Sequence, residues 1–498
     1  MTLRFDWYPE CNDELIITRA EIIIDNISKR NIKKSTIAKL KKTTNQILSA
    51  LYFSYFSLPK GTISVSIPLT SGHYSKTDYS YRMVKDVFDC LSDLKWIEDK
   101  KGTEAGGKVT RVWAVGELSI AFESMGLLWF PQKPNPRESL VFLRDRENPN
   151  ATSARARKKK IDLPVPETPE VLKYRDNLYR YNQFLLKHCV SLDLDDQNLN
   201  SLVVEMSNRT EEDSEDWFGE ESNKVVCLDV SRLQLRRIFS RGSLDQGGRF
   251  YGGFWQSIPE RHRPHILIDG KKTIEIDFST MSLRILYAQE GIEVPFDRDL
   301  YDIGLKGWIG EDDPRRTPIK KYINAVLNDE TGNYRLSRDK QDILGISHRE
   351  LHQRVLENHK PISHLFSSGI GLHTQFIDSE IAERVMLEMM HEGVLVLPIH
   401  DSFIIRVGYK TWLNEAMKRV FKELTGSKIG VSYSYVKSNE YFGKSNEEID
   451  QLVEDPANSI VTLKEIIEEL SRRERSMMDN YIESWEHARI SLVGHFTG

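Results

Sequence analysis

The sequence has 498 residues, of which 39 % are hydrophobic and 29 % are charged. This composition is typical of a folded protein with a sizeable core and excludes a disordered or fibrous chain, and the length predicts about three domains. The formal net charge is only -5, from 69 basic and 74 acidic residues, so the overall charge argues neither for nor against a nucleic-acid partner.

Local features exclude several further classes of protein. No run approaches the roughly 18 apolar residues that a membrane span needs, and the first residues lack the basic and apolar regions of a signal peptide. The four cysteines are scattered and form no Cys-x-x-Cys pair, which excludes a disulfide scaffold and a zinc ribbon. We therefore expect a cytoplasmic protein that has no membrane partner.

The segment 1–145 carries a strongly basic run near its start. Residues 29–42 include seven lysines and arginines and no acidic residue. Apolar spacing and alternation then predict an ordered series of short elements. The predicted elements are helices over 36–56 and 79–94 and strands over 62–67, 96–99 and 109–115.

This order of elements, with glycines between the last two strands, is typical of a winged helix. The glycine-tipped hairpin would be the wing, and the helix at 79–94 would be the recognition helix. Nucleic-acid contact is then expected from Lys33, Lys34, Lys41 and Lys42. Two other interpretations stay open, because a charge run is commonly a solvated helix face and a winged helix can serve as a protein–protein module.

The next region, 146–225, is predicted to connect two larger units. The stretch 146–169 combines small residues, a basic cluster and prolines, which is typical of a linker. A helix is predicted over 171–188, and the acidic run 211–221 is predicted to be a loop.

The segment 226–445 has the densest strand and helix patterns, so we expect the chemistry of the protein there. The remaining segment, 446–498, is predicted to be a charged helical extension with a helix over 462–488. It contains no residue pattern that indicates a reaction.

The first notable carboxylate is Asp277. Asp269-Gly270 is a two-residue hairpin signal between two apolar runs. The second run ends at Asp277, and helical spacing begins soon after it. Asp277 is therefore predicted to stand where a strand passes into a helix, a position from which a side chain can reach a ligand.

The second notable carboxylate is Asp401. It lies between two strongly apolar strands within residues 394–407, in the sequence His400-Asp401-Ser402. Polar residues at such a buried tip cost free energy unless they are paired or bound to an ion. An ordinary tight turn is the alternative, since Asp and Ser are favoured in turns.

Together, two carboxylates from different sheet elements can hold a pair of Mg²⁺ ions about 3.5–4 Å apart. Such a pair activates a 3′-hydroxyl and stabilises a leaving pyrophosphate. Mg²⁺ keeps several waters and needs few protein carboxylates, so two aspartates are enough. Mn²⁺ can replace Mg²⁺ at a site of this kind.

A helix between the two carboxylates has the features of a phosphate-binding element. Thr317 is predicted to cap it, with Pro318 as its first residue. One of its ridges presents a basic pair followed by amides, which suits a nucleoside triphosphate. The ridge consists of Arg316, Lys320, Asn324 and Asn328. A surface helix with a polar stripe is the alternative.

These residues resemble, in order and type, the single-subunit nucleic-acid polymerases. This family comprises the family A DNA polymerases and the bacteriophage-type and mitochondrial RNA polymerases, and the resemblance covers about residues 235–425. Four blocks carry it. They are residues 247–251 (Gly-Gly-Arg-Phe-Tyr), 277–284 (motif A), 316–328 (motif B), and 372–375 leading into 399–403 (motif C).

The resemblance implies an α+β right-hand fold, with an antiparallel palm sheet and helical fingers. It implies that Asp277 and Asp401 bind the metal ions and that Lys320 binds the triphosphate and protonates the departing pyrophosphate. The other implied nucleotide contacts are Arg316, Asn324, Asn328, Ser282 and His373. The implied contacts to template and nascent strand are Arg249, Tyr251, Gln375 and His400.

The chain departs from the family pattern at two informative positions. Asn328-Asp329 stand where the family has Tyr-Gly, which puts base selection in doubt. Ser282 stands where the DNA polymerases have a glutamate that excludes the ribose 2′-hydroxyl. The sequence therefore predicts a compact DNA-dependent polymerase or primase that accepts ribonucleotides.

Two other functions remain open. A non-catalytic DNA-binding replication initiator with a degenerate polymerase fold is favoured by Asn328 and Asp329, but it has no need of paired buried carboxylates. A two-metal nuclease needs the acids but not a helix that carries Lys320 and Arg316. By analogy, the combination of domains suggests a bacterial mobile element or phage, and a replication partner protein that no residue identifies.

Overall fold

The coordinates come from a computed structural model. The structure describes residues 2–5, 11, 13–29, 34–58, 64–69, 74, 79–101, 110–130, 134–146, 160–208, 228–295, 298–434 and 477–494. These residues form a mixed α+β protein whose strands belong to three sheets, and most of the strand pairs are antiparallel.

The first sheet belongs to the N-terminal region and has the order β1–β2–β4–β3. The elements are β1 (Thr2–Arg4), α1 (Glu14–Ser28), α2 (Lys34–Phe56), β2 (Ser64–Ile67), α3 (Tyr81–Asp93), β3 (Ile97–Lys100), β4 (Thr110–Ala114) and α4 (Gly116–Met125). The predicted helices and strands of this region are confirmed to within a few residues. The tip of the β3–β4 hairpin lies outside the described residues, and the winged-helix classification stays a prediction.

The second sheet has the order β6–β5–β8–β9. The elements of this stretch are β5 (Val141–Arg146), β6 (Lys160–Leu163), α5 (Pro169–Leu185), β7 (Val190–Leu192), α6 (Asp196–Asn208), β8 (Arg236–Phe239) and β9 (Gly247–Tyr251). The helix predicted over 171–188 is confirmed as α5, which Thr168 caps by accepting a hydrogen bond from the Val171 backbone.

The prediction of a linker over 146–169 was wrong in part. Strand β6 lies inside that stretch and pairs antiparallel with β5. Strand β6 is an edge strand whose side chains are mostly exposed, so it shows no alternation of apolar and polar residues. The basic residues of this stretch therefore indicated a linker. The acidic run 211–221 lies outside the described residues.

The third sheet has the order β12–β13–β11–β10–β7, and β14 also pairs with β11. All its pairs are antiparallel. The elements of this region are β10 (Ile266–Ile268), β11 (Lys271–Phe278), α7 (Met281–Gln289), α8 (Arg316–Asn328), α9 (Arg338–Leu344), α10 (His348–Asn358), α11 (Gly371–His391), β12 (Val396–Ile399), β13 (Ser402–Arg406), α12 (Lys410–Thr425) and β14 (Val431–Ser434).

Local sequence explains the centre of this sheet. Asp269 and Gly270 both have positive φ, 54° and 68°, as the predicted two-residue hairpin requires. Alternate residues of β11 are apolar and buried, including Ile274, Ile276 and Phe278. The sheet is thereby held in a register that brings the far end of β11 beside the β12–β13 turn.

A final helix, α13 (Met477–Gly494), packs against both the N-terminal region and the third sheet. Met478, Tyr481 and Trp485 are buried in the apolar cluster that both regions share. The Trp129 backbone donates to Ser484 Oγ at 2.7 Å, close to the end of α4. The predicted helix over 462–488 is confirmed from residue 477 onward, and its earlier part lies outside the described residues.

None of the helices described above combines the length and the apolar character that crossing a lipid bilayer would require.

Candidate active site

Asp277 and Asp401 lie side by side at one end of the third sheet. Asp277 pairs with Ser402 of β13 on one side and with Ser432 of β14 on the other. The backbone N–H of Phe278 donates to the Asp401 carbonyl at 3.2 Å. The sheet therefore brings together two carboxylates that are 124 residues apart in the sequence.

The backbone turns sharply close to each carboxylate. His400 has φ 56° in the two-residue turn between β12 and β13. Thr280, a β-branched residue, is left-handed with φ 55° and ψ 36° just before α7 begins. Arg284 stabilises this second turn, since its Nε donates to Thr280 Oγ1 at 3.1 Å and to the Ser279 carbonyl at 3.2 Å. Strained residues of this kind cluster at functional sites.

A polar cavity of about 180 Å³ opens in front of the two carboxylates. It brings together seven of the residues predicted from the sequence. These are Arg249, Asp277, Ser282, Arg316, Lys320, Asn324 and Asp401.

Helix α8 forms the opposite wall of the cavity. Its predicted apolar face, which includes Ile319, Tyr322 and Ile323, is buried. Three members of the predicted ridge, Arg316, Lys320 and Asn324, line the cavity. These three side chains therefore face the carboxylates rather than solvent, which argues against a polar surface stripe over this part of the ridge.

The start of α8 differs from the prediction. The helix begins at Arg316, with Arg315 in the capping position, and not at a Thr317 cap followed by Pro318. Asp313 orders this end, because its Oδ1 accepts from the Arg315 backbone N–H at 2.9 Å and from Arg315 Nε at 2.8 Å. The earlier start makes Arg316 part of the helix.

Arg316 has two neighbours that the sequence did not indicate. Its Nε donates to Asp299 Oδ2 at 2.9 Å, and its guanidinium lies 5.0 Å from the centre of the Tyr301 ring. Tyr301 also lines the cavity, and burial raises the pKa of its hydroxyl to about 12. Tyr301 and Asp299 stand in an irregular segment before α8, where no periodic pattern marks them.

The charges in the cavity act strongly on one another. Burial, and then the negative charge of Asp401, raise the pKa of Asp277 well above its ordinary value. Burial acts to raise the pKa of Asp401 as well, but Lys320, Arg249 and His400 outweigh it and lower that pKa. Burial opposes the charged form of Lys320, yet Asp401 and Asp277 raise its pKa overall. Lys320 is thus protonated at neutral pH.

Arg249 reaches the cavity from β9. Its Nε and Nη2 both donate to Asp378 Oδ2 of helix α11, at 2.7 and 2.6 Å. Burial raises the pKa of Asp378 to about 6, although Arg249 acts to lower it. The sequence did not indicate Asp378, which stands inside a helix among other acidic residues.

Several predicted site residues lie outside the cavity. Asn328 is exposed at the end of α8 and donates to the Asn324 carbonyl at 2.8 Å. His373 lies at the start of α11 and does not line the cavity with Ser282. Its Nε2 is 3.2 Å from Gln289 Nε2. Gln375, on the same helix, is half-buried outside the cavity.

Tyr251 and His400 also lie outside the cavity, with their ring centres 5.6 Å apart in an edge-on contact. Of the N-terminal lysines, Lys41 and Lys42 are exposed on α2. Lys34 is the first residue of that helix. Lys33 lies outside the described residues.

The donor set fits a divalent cation. Asp277 Oδ1 is buried and accepts no hydrogen bond from any residue that the structure describes. Asp401 lies beside it, and the two carboxylates alone do not supply all the ligands of a divalent cation. Among the described residues, no three His, Cys, Asp or Glu side chains converge on one point. Two carboxylates suit Mg²⁺, which takes its other ligands from water and from substrate phosphates.

No known family model matches this chain. No curated protein matches it either. Among solved structures, the chain is similar to the POL domain of Pol1 from M. smegmatis in complex with DNA primer-template and dNTP, with a TM-score of 0.29 and 11 % sequence identity. The match covers 53 % of this chain and 52 % of that chain, so it spans about half of each.

Proposed function

We propose that this chain is a template-directed nucleotidyltransferase, a compact DNA-dependent polymerase or primase. One observation carries the proposal. Two half-buried carboxylates, Asp277 and Asp401, face the cationic side chains of Lys320 and Arg316 across a single polar cavity. Transfer of a nucleotidyl group needs this combination, with acids to hold metal ions and cations to hold the triphosphate.

Asp277 and Asp401 would hold Mg²⁺, or Mn²⁺ in its place. When bound, the metal ions supply activation of the 3′-hydroxyl and charge stabilisation of the leaving pyrophosphate. The Oδ1 of Asp277 supports this assignment, because it is buried and accepts no hydrogen bond from a described residue, and such an oxygen gains from a cation.

Lys320 and Arg316 would bind the triphosphate from α8. Lys320 is protonated at neutral pH, so it can donate a proton to the departing pyrophosphate. Asp299 orients Arg316, which lines the same cavity as Lys320. Asn324, one turn further along the same ridge, would donate to the sugar or base.

Ribonucleotides are the proposed substrates. Ser282 lies in the first turn of α7 and lines the cavity. Its short side chain leaves room for a 2′-hydroxyl and can hydrogen-bond to it. Arg249 would contact the nascent strand near Asp401, and the basic residues of α2 would help to hold DNA.

An extension assay tests the proposal. The purified chain is incubated with a DNA template and Mg²⁺, separately with labelled rNTPs and dNTPs, with and without a primer. We expect products with rNTPs that disappear with Asp401→Asn and persist with Asp176→Asn. Asp176 is a matched control, because it is an exposed aspartate on α5 that pairs with Arg137 outside the cavity.

The absence of product in every reaction, with DNA binding intact, would overturn the proposal and favour a non-catalytic initiator. Loss of substrate DNA with Mg²⁺ but without nucleotides would favour a nuclease instead. Products with dNTPs alone would support the proposed polymerase activity but overturn the proposal that ribonucleotides are the substrates.

A further inference from the structure

Of the residues predicted to contact the template or the nascent strand, Arg249 alone lines the cavity within the described part of the chain. Asp378 holds its guanidinium from one side. Asp378 accepts two hydrogen bonds from it on a single oxygen, Oδ2. The side chain of Asp378 is 5 % exposed and that of Arg249 is 15 % exposed. A buried, charge-assisted contact of this geometry fixes the plane of the guanidinium.

The backbone before Arg249 is fixed by the same helix. Arg237, which is fully buried on β8, donates from Nε to the Gly248 carbonyl at 2.7 Å. Its other nitrogens reach Glu383 at 3.1 Å and Glu380 at 2.6 Å, both on α11. Helix α11 thus holds the β8–β9 hairpin at two successive points. One of these contacts sets the backbone, and the other, through Asp378, sets the Arg249 side chain.

We propose that Asp378 is a positioning residue that aims Arg249 at the nascent strand beside Asp401. The inference rests on the proposed function. Asp378 does not touch the cavity itself, and it acts only through the arginine. An arginine released from Asp378 keeps its charge but loses its fixed direction, and a displacement of about 1 Å from the productive position can cost about 10²-fold in rate.

The arrangement gives Asp378 a role distinct from general stability. Removing the carboxylate should slow the chemical step while the binding of nucleotide to Lys320 and Arg316 continues. Once Arg249 is gone, Asp378 has nothing left to orient, and its loss should have no further effect on rate. A purely structural carboxylate would instead lower activity by a similar factor in both backgrounds.

The test is a double-mutant cycle with Asp378→Asn, Arg249→Gln and the double variant, scored by kcat and by KM for the nucleotide. We expect Asp378→Asn to lower kcat at least about tenfold with KM changed less than about threefold. In the Arg249→Gln background, the same substitution should change kcat less than about twofold. Asp378→Glu, which keeps the carboxylate, should recover part of the loss.

Asp193→Asn is the matched control. Asp193 is a buried aspartate that pairs with Lys272 at the start of β11, whereas Asp277 lies near the other end of that strand. It should lower the thermal midpoint and leave kcat unchanged.

Three outcomes would overturn the inference, and they can be told apart. An inactive wild-type chain would overturn the proposed function and the inference with it. An active wild-type chain in which the losses from Asp378→Asn and Arg249→Gln multiply would overturn the inference alone. So would equal rate losses from Asp378→Asn and Asp193→Asn at equal losses of thermal midpoint.

Discussion

Ser282 stands in the first turn of α7, whereas Asp277 lies near the end of β11, and the Ser282 side chain forms part of the cavity wall. At this position the length of a side chain decides how much of the cavity stays open to a proposed nucleotide sugar. Serine fills little of the space and carries a hydroxyl that both donates and accepts hydrogen bonds. If the chain transfers nucleotides as proposed, we therefore expect residue 282 to set the choice between ribose and deoxyribose.

Exchanging Ser282 for a longer acidic residue should reverse the choice of sugar. Ser282→Glu places a carboxylate where the 2′-hydroxyl would lie, so rNTP incorporation should fall at least about tenfold while dNTP incorporation persists. Ser282→Ala removes the hydroxyl without filling the space, and it should cost rNTP incorporation no more than a few-fold. The measurement is kcat/KM for each nucleotide on one primed template. Equal rNTP losses in both variants would contradict a steric role.

The sequence located some of these residues and missed others for identifiable reasons. Asp277, Asp401 and Lys320 could be found because they interrupt strong patterns, two apolar strands and an amphipathic helix. Ser432 could not be found, because it is placed next to Asp277 only by the pairing of β14 with β11. Asp378 resembled a solvated acidic residue, and only the packing of α11 on β9 reveals that it is buried.

Among the secondary-structure elements, β9 approaches its neighbours closely near the cavity. Gly248 has φ +77°, and a Cβ added there would lie 2.8 Å from the Phe239 ring and 2.9 Å from Ser379 Oγ. Phe239 is fully buried, so it has little freedom to move away. Glycine at this position lets α11 and β8 close on the strand that carries Arg249.

Gly248→Ala should therefore combine backbone strain with overpacking. We expect a loss of about 2–4 kcal/mol in the free energy of unfolding, from about 1–2 kcal/mol for a left-handed alanine and the rest for displaced neighbours. Gly304→Ala is the matched control, because Gly304 has φ +75° but open space around the added Cβ. It should show only the strain. Denaturant unfolding followed by tryptophan fluorescence makes the comparison, and equal losses would show that space at Gly248 is not limiting.

Element boundaries were predictable where local chemistry sets them and not where tertiary contacts do. The Asp269-Gly270 hairpin and the apolar face of α8 depend on residue types within a few positions, and both predictions were confirmed. The start of α8 depends instead on Asp313, which orders Arg315 and extends the helix beyond the predicted cap. Among the described strands, β6 pairs with β5 alone, so its own sequence showed no strand pattern and indicated a linker.

In the whole molecule, positive charge on the N-terminal region is concentrated on α2 rather than on α3. Lys39, Lys41 and Lys42 are exposed on α2. On α3, the predicted recognition helix, Lys85 is paired with Asp89 at 2.6 Å. The same helix also carries Asp86 and Asp93. If this region holds DNA, phosphate contacts are therefore expected mainly from α2.

Replacing Lys41 and Lys42 by alanine should weaken binding to a fixed DNA duplex and flatten its salt dependence. Each lost phosphate contact reduces the slope of log K against log salt by about 0.9, so the double variant should lose up to about 1.8. Lys418 and Lys422 are exposed on α12, and their double alanine variant makes the same change in net charge as a control. Its slope should match the wild type. If the Lys41 and Lys42 variant also kept the wild-type slope, the basic run would be a solvated helix face, and DNA would have to be held by other parts of the chain.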